Sequence, residues 1–308
     1  MARFFVVEFD EPGVLAKGKG SRNIIVRLTR VMGKLGVPSE VLPFADLMAR
    51  GAIDDPQSYV LLHYNELFVV QNEKVDWLRA RESEIEALGH RILHSVEHGR
   101  VVGHKIRQNK VLTAAGVPMP RLIETGSSFE TAFSNEVSNA HVPVQLVGNA
   151  AELDPDRYNT EYVDCRHEYE GEMWHVCIRA QAVGEQVLFS WVRAGREASV
   201  HTRDTPVNPQ MIRYFHRLVI TPNIGRINAI ARGVKAALGV GLYAHDILPC
   251  AKTGQLFLCE TNFKFYDGNH RFHMASIAAE HPVPALFDGR KVTRRMARAL
   301  VQELDLKT

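Results

Sequence analysis

The chain of 308 residues carries 37 lysines and arginines against 35 aspartates and glutamates, a formal net charge of +2. So even a balance supplies no global field to draw in nucleic acid or an anionic membrane, and neither is expected as a partner. The length gives room for two or three subdomains around a sizeable core and excludes one small domain.

The four cysteines, Cys165, Cys177, Cys250 and Cys259, have neither C-x-x-C spacing nor histidines at finger spacing, so they are expected as reduced, mostly structural thiols. Met1 opens a strand-like run, without a basic segment and long apolar core, and no stretch approaches the length of a membrane span. A cytoplasmic location is the expectation.

In chain order, residues 2–9 contain FFVVEF and read as a strand closed by a Glu-Pro-Gly turn. Ser21 is placed to cap a helix over residues 22–35, where Ile24, Ile25, Leu28, Val31, Met32 and Leu35 recur at helical spacing. The loop before it, Lys17 to Arg22, is rich in glycine and cations. It suits either a solvated connection or a contact for a substrate anion. Residues 40–44, 59–63 and 91–94 read as further strands, with helices over 44–50 and 75–88, which predicts a small, largely parallel sheet. His63, Tyr64, Asn65 and Glu66 follow the third strand, where open α/β sheets place ligand loops, although a polar turn explains them equally well.

Residues 101–121, VVGHKIRQNKVLTAAGVPMPR, read as a helix ending at Ala115-Gly116, with Pro118 and Pro120 forcing an extended exit. Residues 141–147, HVPVQLV, form a candidate strand carrying Gln145. The acidic, polar run 149–157 then leads directly into Tyr158-Asn159-Thr160-Glu161-Tyr162-Val163. Residues 172–192 alternate as two strands joined at Val183-Gly184-Glu185, with Arg179 and Arg193 projecting from them; surface ion pairs are the alternative for both arginines. Trp174 and Trp191 are assigned to packing.

A helix-like run over 226–238 leads into two apolar stretches, 241–250 and 255–263, separated by Ala251-Lys252-Thr253-Gly254. A three-residue loop with Gly254 left-handed sets Ala251 opposite Gln255, Leu248 opposite Leu258 and Asp246 opposite Glu260, with Asn262 one same-face step further. Opposed carboxylates repel unless a cation or proton lies between them, and an all-oxygen set suits Mg²⁺ or Mn²⁺. Polar side chains at the solvated end of a half-buried hairpin are the plainer alternative. Beyond Asn262 lies a polar loop with Asn269, His270 and Arg271, and residues 291–304 form a basic, amphipathic helix expected as a solvated cover.

The stretch LGVGLYAHDIL followed by FLCETN resembles the C-terminal core of ATP-grasp enzymes, and HKIRQNKVLTAAGVPMP resembles the segment that opens that domain. The resemblance covers residues 101–271 in ordered segments. It implies an α+β fold: an ATP-grasp core behind an N-terminal α/β (pre-ATP-grasp) domain, three subdomains over residues 1–100, 101–190 and 191–308. It implies an ATP-dependent carboxylate-amine ligase that works through an acyl phosphate, on small carboxylate and amine substrates such as amino acids or peptides. It leaves homo-oligomerisation open.

By position, the resemblance assigns Asp246, Glu260 and Asn262 to Mg²⁺ or Mn²⁺, and Lys105 and Arg179 to the phosphates of ATP. Glu161, Tyr162 and Val163 fall on the hinge that reads adenine, Glu168 on the ribose, and Asn269, His270 and Arg271 on the acceptor substrate. Gln145 stands near the place of a second family lysine. The glycine-rich lid of the family has no counterpart after it, so a nucleotide-binding or scaffold protein without turnover is the rival. A dinucleotide oxidoreductase is disfavoured because the N-terminal unit lacks G-x-G-x-x-G.

Overall fold

The computed structural model describes residues 3–11, 14, 19–52, 58–70, 75–124, 128–138, 144–263 and 268–306. Its first unit alternates strand and helix: β1 (Arg3–Glu8), α1 (Lys19–Lys34), β2 (Ser39–Pro43), α2 (Phe44–Ala49), β3 (Ser58–His63), α3 (Val75–Ala87) and β4 (Arg91–Leu93). The strands are all parallel in the order β2-β1-β3-β4. β1 and β3 are apolar along nearly their whole length because both faces are covered, as central parallel strands require.

Two corrections to the sequence reading fall here. Helix α1 begins at Lys19, so it starts before the expected residue 22 and Ser21 lies within its first turn. Of the basic loop, Lys17 and Gly18 lie outside the described residues, while Arg22 is committed to an ion pair with Glu8 at 3.1 Å.

Helices α4 (Val96–Val102) and α5 (Lys105–Ala114) follow, and α5 ends at Gly116 with φ +77°, a left-handed position that glycine takes without strain. A three-stranded antiparallel sheet comes next, from β5 (Ala132–Asn135), β6 (Gln145–Val147) and β7 (Tyr158–Glu161), in the order β6-β5-β7. Strand β5 was not anticipated. The expected strand over 141–147 is observed only from Gln145, its first three residues lying outside the described residues.

The largest sheet is antiparallel and contains β8 (Arg166–Tyr169), β9 (Glu172–Val183), β10 (Gln186–Gly195), β11 (Leu242–Pro249) and β12 (Leu256–Asn262). β10-β9-β11-β12 is its main order, and β8 pairs with the first residues of β9. Helices α6 (Pro209–Phe215) and α7 (Ile224–Leu238) lie between β10 and β11 in sequence, and α7 buries Ile227, Ile230, Val234 and Leu238. The chain closes with α8 (Gly268–His273) and α9 (Gly289–Glu303). Asp288 caps α9 through Arg290 N and Lys291 N, so this helix starts two residues earlier than expected, and its apolar stripe is buried in the core.

Candidate active site

The hairpin of β11 and β12 sets the site. Asp246 does oppose Glu260, by a different route from the one its loop length implied. Cys250 N donates to Gln255 O and Gly254 N donates to Cys250 O, so the loop holds four residues, 251–254, with Gly254 at φ +67°. That offset places Leu248 against Phe257 and Ile247 against Leu258. The register then shifts between Asp246 and Ile247, leaving Cys259 as the extra residue of a bulge. The bulge restores Asp246 to Glu260 and Ala244 to Asn262.

Strand β9 lies on the other side of β11, with Arg179 in register with Asp246. Arg179 is 5% exposed, and its guanidinium donates to Asp246 Oδ2 at 2.7 Å and to Asn262 Oδ1 at 3.4 Å. Arg193 on β10 reaches Asp246 Oδ1 at 3.4 Å, and Asn262 Nδ2 donates to Glu260 Oε1 at 3.3 Å. Neither arginine is a surface ion pair. Guanidinium thus neutralises Asp246, while Glu260 accepts from the Asn262 amide. Among the described residues, no group of three or more His, Cys, Asp or Glu is placed to hold a metal ion. The oxygen set at this position is two carboxylates and one amide, a donor chemistry that fits a hard divalent cation.

Burial keeps the surrounding thiols protonated. Cys259 and Cys177 are both pushed up by desolvation first, then by nearby carboxylates. His245, on the opposite face of β11, is held down to about 3 by burial and bonds Thr261 Oγ1 at 2.9 Å.

Helix α5 is locked against this sheet by a side chain that the sequence reading passed over. Gln108 donates to Thr261 O at 2.8 Å and accepts from Thr261 N at 2.8 Å, between Glu260 and Asn262. Asn109 ties the same helix to Pro120 O and Tyr158 Oη. Both polar residues are fully buried at helix positions whose periodicity suits apolar side chains, and that mismatch was the available signal. Lys105, at the first position of α5, is 6% exposed, and its ammonium donates to Glu136 O at 3.2 Å and Ser138 O at 2.7 Å.

Glu161, Tyr162 and Val163, expected on the hinge, line a cavity of about 130 Å³ together with Pro120, Arg121, Cys250, Thr253 and Phe257. Glu161 pairs with Arg121, and burial pushes the Tyr162 phenol up to about 12. Glu168 is exposed on β8, on the same sheet face as Arg179 by strand alternation, and Gln145 is exposed on β6.

Residues 269–271, expected to meet the acceptor substrate, depart from a simple polar loop. His270 is fully buried, 3.5 Å from His281 and packed on Trp191, so it is a core histidine in this form. Arg271 donates to Phe287 O at 2.9 Å, and Asn269 is exposed. The first sheet approaches this region through His94, which takes a left-handed φ of 58°, accepts from Leu242 N at 2.9 Å and stacks on Phe263 at 3.8 Å.

No protein-family model and no curated protein matches the sequence. Solved structures do. The chain is similar to the ATP-grasp ligase PsnB complexed with a phosphomimetic variant of its minimal precursor, Mg and ADP, with TM-score 0.53 and 13% identity over 98% of this chain and 97% of that one. It is similar to the D-cycloserine synthetase DcsG, with TM-score 0.51 and 14% identity over 98% and 100%. N5-carboxyaminoimidazole synthetase from Staphylococcus aureus follows with TM-score 0.50 and 8% identity over 91% and 77%. The chain therefore has the ATP-grasp fold, as its resemblance implied. No helix among the described residues is long and apolar enough to cross a membrane.

Proposed function

We propose that the protein is an ATP-dependent ligase that activates a carboxylate as an acyl phosphate and joins it to an amine. The observation that carries this reading is the single sheet face on which Asp246, Glu260 and Asn262 meet Arg179 and Arg193. In this reading residues 1–100 form the pre-ATP-grasp domain, 101–190 the small lid and hinge part, and 191–308 the part with the metal site.

The hinge backbone at Glu161, Tyr162 and Val163 would hold adenine, and Glu168 would hold the ribose. Asp246, Glu260 and Asn262 would hold Mg²⁺ or Mn²⁺, which supplies charge neutralisation of the phosphates when bound. Arg179 and Lys105 then leave their present oxygen partners for phosphate oxygens, so that cationic donors face the charge developing on the transferred group. A substrate carboxylate oxygen attacks the γ-phosphorus and ADP departs. The amine attacks the acyl carbon, and inorganic phosphate leaves. Arg271 and Asn269 are the acceptor candidates; His270 requires a rearrangement of its buried pairing before it can contribute.

A second reading has its own support: both arginines already neutralise Asp246, and Lys105 is satisfied by carbonyls, an arrangement suited to a binding protein without turnover. A screen for ADP and phosphate release with mixed amino acids and short peptides separates the two. Release with at least one acceptor supports the ligase. Nucleotide binding without release supports the second reading.

A further inference from the structure

Away from the candidate active site, a crevice of about 340 Å³ lies between α5, β7 and the 150–157 loop. That volume falls at the lower end of the roughly 300–1,000 Å³ typical of small-molecule sites. Its apolar wall is formed by Ile106, Leu122 and Leu153. Lys110 and Arg157 bring two cations to its lining, and Glu124 brings one carboxylate.

The loop wall is built around Asn159. This residue is 6% exposed, and its Nδ2 donates to Asp154 O at 2.7 Å, which fixes the amide's orientation. Its Oδ1 is buried and accepts no hydrogen bond, which is costly for an amide in a protein interior. Strand alternation puts Asn159 on the opposite face of β7 from Tyr158, whose hydroxyl meets Asn109. The crevice and the cavity at Glu161 share no lining residue.

We propose that this crevice binds a small apolar amino acid. Its carboxylate would face Lys110 and Arg157, its ammonium would donate to Asn159 Oδ1 with Glu124 balancing the charge, and its side chain would lie on Ile106, Leu122 and Leu153. Two cations, one carboxylate and one vacant acceptor around an apolar wall match a zwitterion with an aliphatic or aromatic side chain better than a simple anion. The inference does not depend on the ligase reading. It concerns the outer faces of α5 and β7, whose inner faces carry Lys105 and Tyr158, so occupancy would act on the orientation of both elements.

The test is calorimetric titration of the full-length protein, without nucleotide, with L-leucine, L-phenylalanine, glycine and inorganic phosphate. Saturable binding of leucine or phenylalanine, with glycine and phosphate at least about tenfold weaker, is expected. Lys110→Glu changes an exposed side chain and should weaken that binding about tenfold or more with an unchanged melting temperature. Asn159→Leu should do the same if it folds, and Lys110→Glu stands alone if it does not. No saturable binding of either amino acid, equal binding of phosphate, or amino-acid binding untouched by Lys110→Glu would each overturn the proposal; the last result would put the amino acid in the acceptor site instead.

Discussion

Arg179 and Asp246 form a 2.7 Å ion pair exactly in register across β9 and β11, with the arginine 5% exposed. Asp246 lies between Arg179 on β9 and Glu260 on β12, so the guanidinium balances Asp246 from the side away from Glu260. The same arginine competes with any divalent cation for Asp246.

It follows that Arg179→Ala should act in opposite directions on two measurements. Mn²⁺ affinity without nucleotide, read by paramagnetic resonance, should rise, because a competing charge is gone. ATP-dependent product formation should fall by about two to three orders of magnitude, the usual cost of one close donor. A loss of both would make Arg179 a scaffold for Asp246 and nothing more.

Gln108 joins α5 to β12 through both backbone groups of Thr261, at 2.8 Å each. Gln108→Leu leaves a buried N–H and a buried carbonyl unpaired and should cost roughly 2–4 kcal/mol by urea denaturation. It should also loosen the placement of Lys105 and raise the concentration of nucleotide needed for half-saturation. Stability within 0.5 kcal/mol of wild type, roughly the scatter of a neutral surface substitution, would show that the bidentate contact contributes little.

Two buried histidines set a pH window. Burial lowers both His94 and His245 from 6.5 to about 3, so each is neutral in the fold. Below pH 6.5 the unfolded chain binds more protons than the folded one, so stability falls with falling pH and continues to fall until about pH 3. The loss approaches about 1.4 kcal/mol per pH unit for each ring once pH is well below 6.5. Glu8, lowered to about 2 chiefly by His63, adds a further loss below its ordinary range of 4.5. Melting temperature measured from pH 7 to 4 should decline, and His94→Phe should flatten the slope. A flat profile in wild type would contradict the buried neutral rings.

How far the sequence reached can be judged from particular residues. The parallel first sheet was legible because β1 and β3 are apolar along their length and the helices between them keep helical period. The facing of Asp246 and Glu260 was legible only in outcome: the four-residue loop and the bulge at Cys259 each displace the register by one, and the two displacements cancel. A bulge leaves no period of its own, so neither displacement could be read from spacing. The pairing of Arg179 and Arg193 with Asp246 was not legible, because strand order, not sequence separation, sets β9 beside β11 and β10 one strand further out. The burial of His270 was not legible, because a polar loop motif carries no information about Trp191 and His281, which pack against it.

Glu260 offers the most direct test of the central claim, since it faces Asp246 and accepts from Asn262. Glu260→Gln preserves size and the capacity to accept that hydrogen bond while removing the charge. Binding of ATP should be measured by calorimetry with and without Mg²⁺ for wild type and the variant. The account predicts Mg²⁺-dependent ATP binding in wild type and loss of that dependence in Glu260→Gln, at an unchanged melting temperature. Identical Mg²⁺ dependence in the two proteins would contradict it.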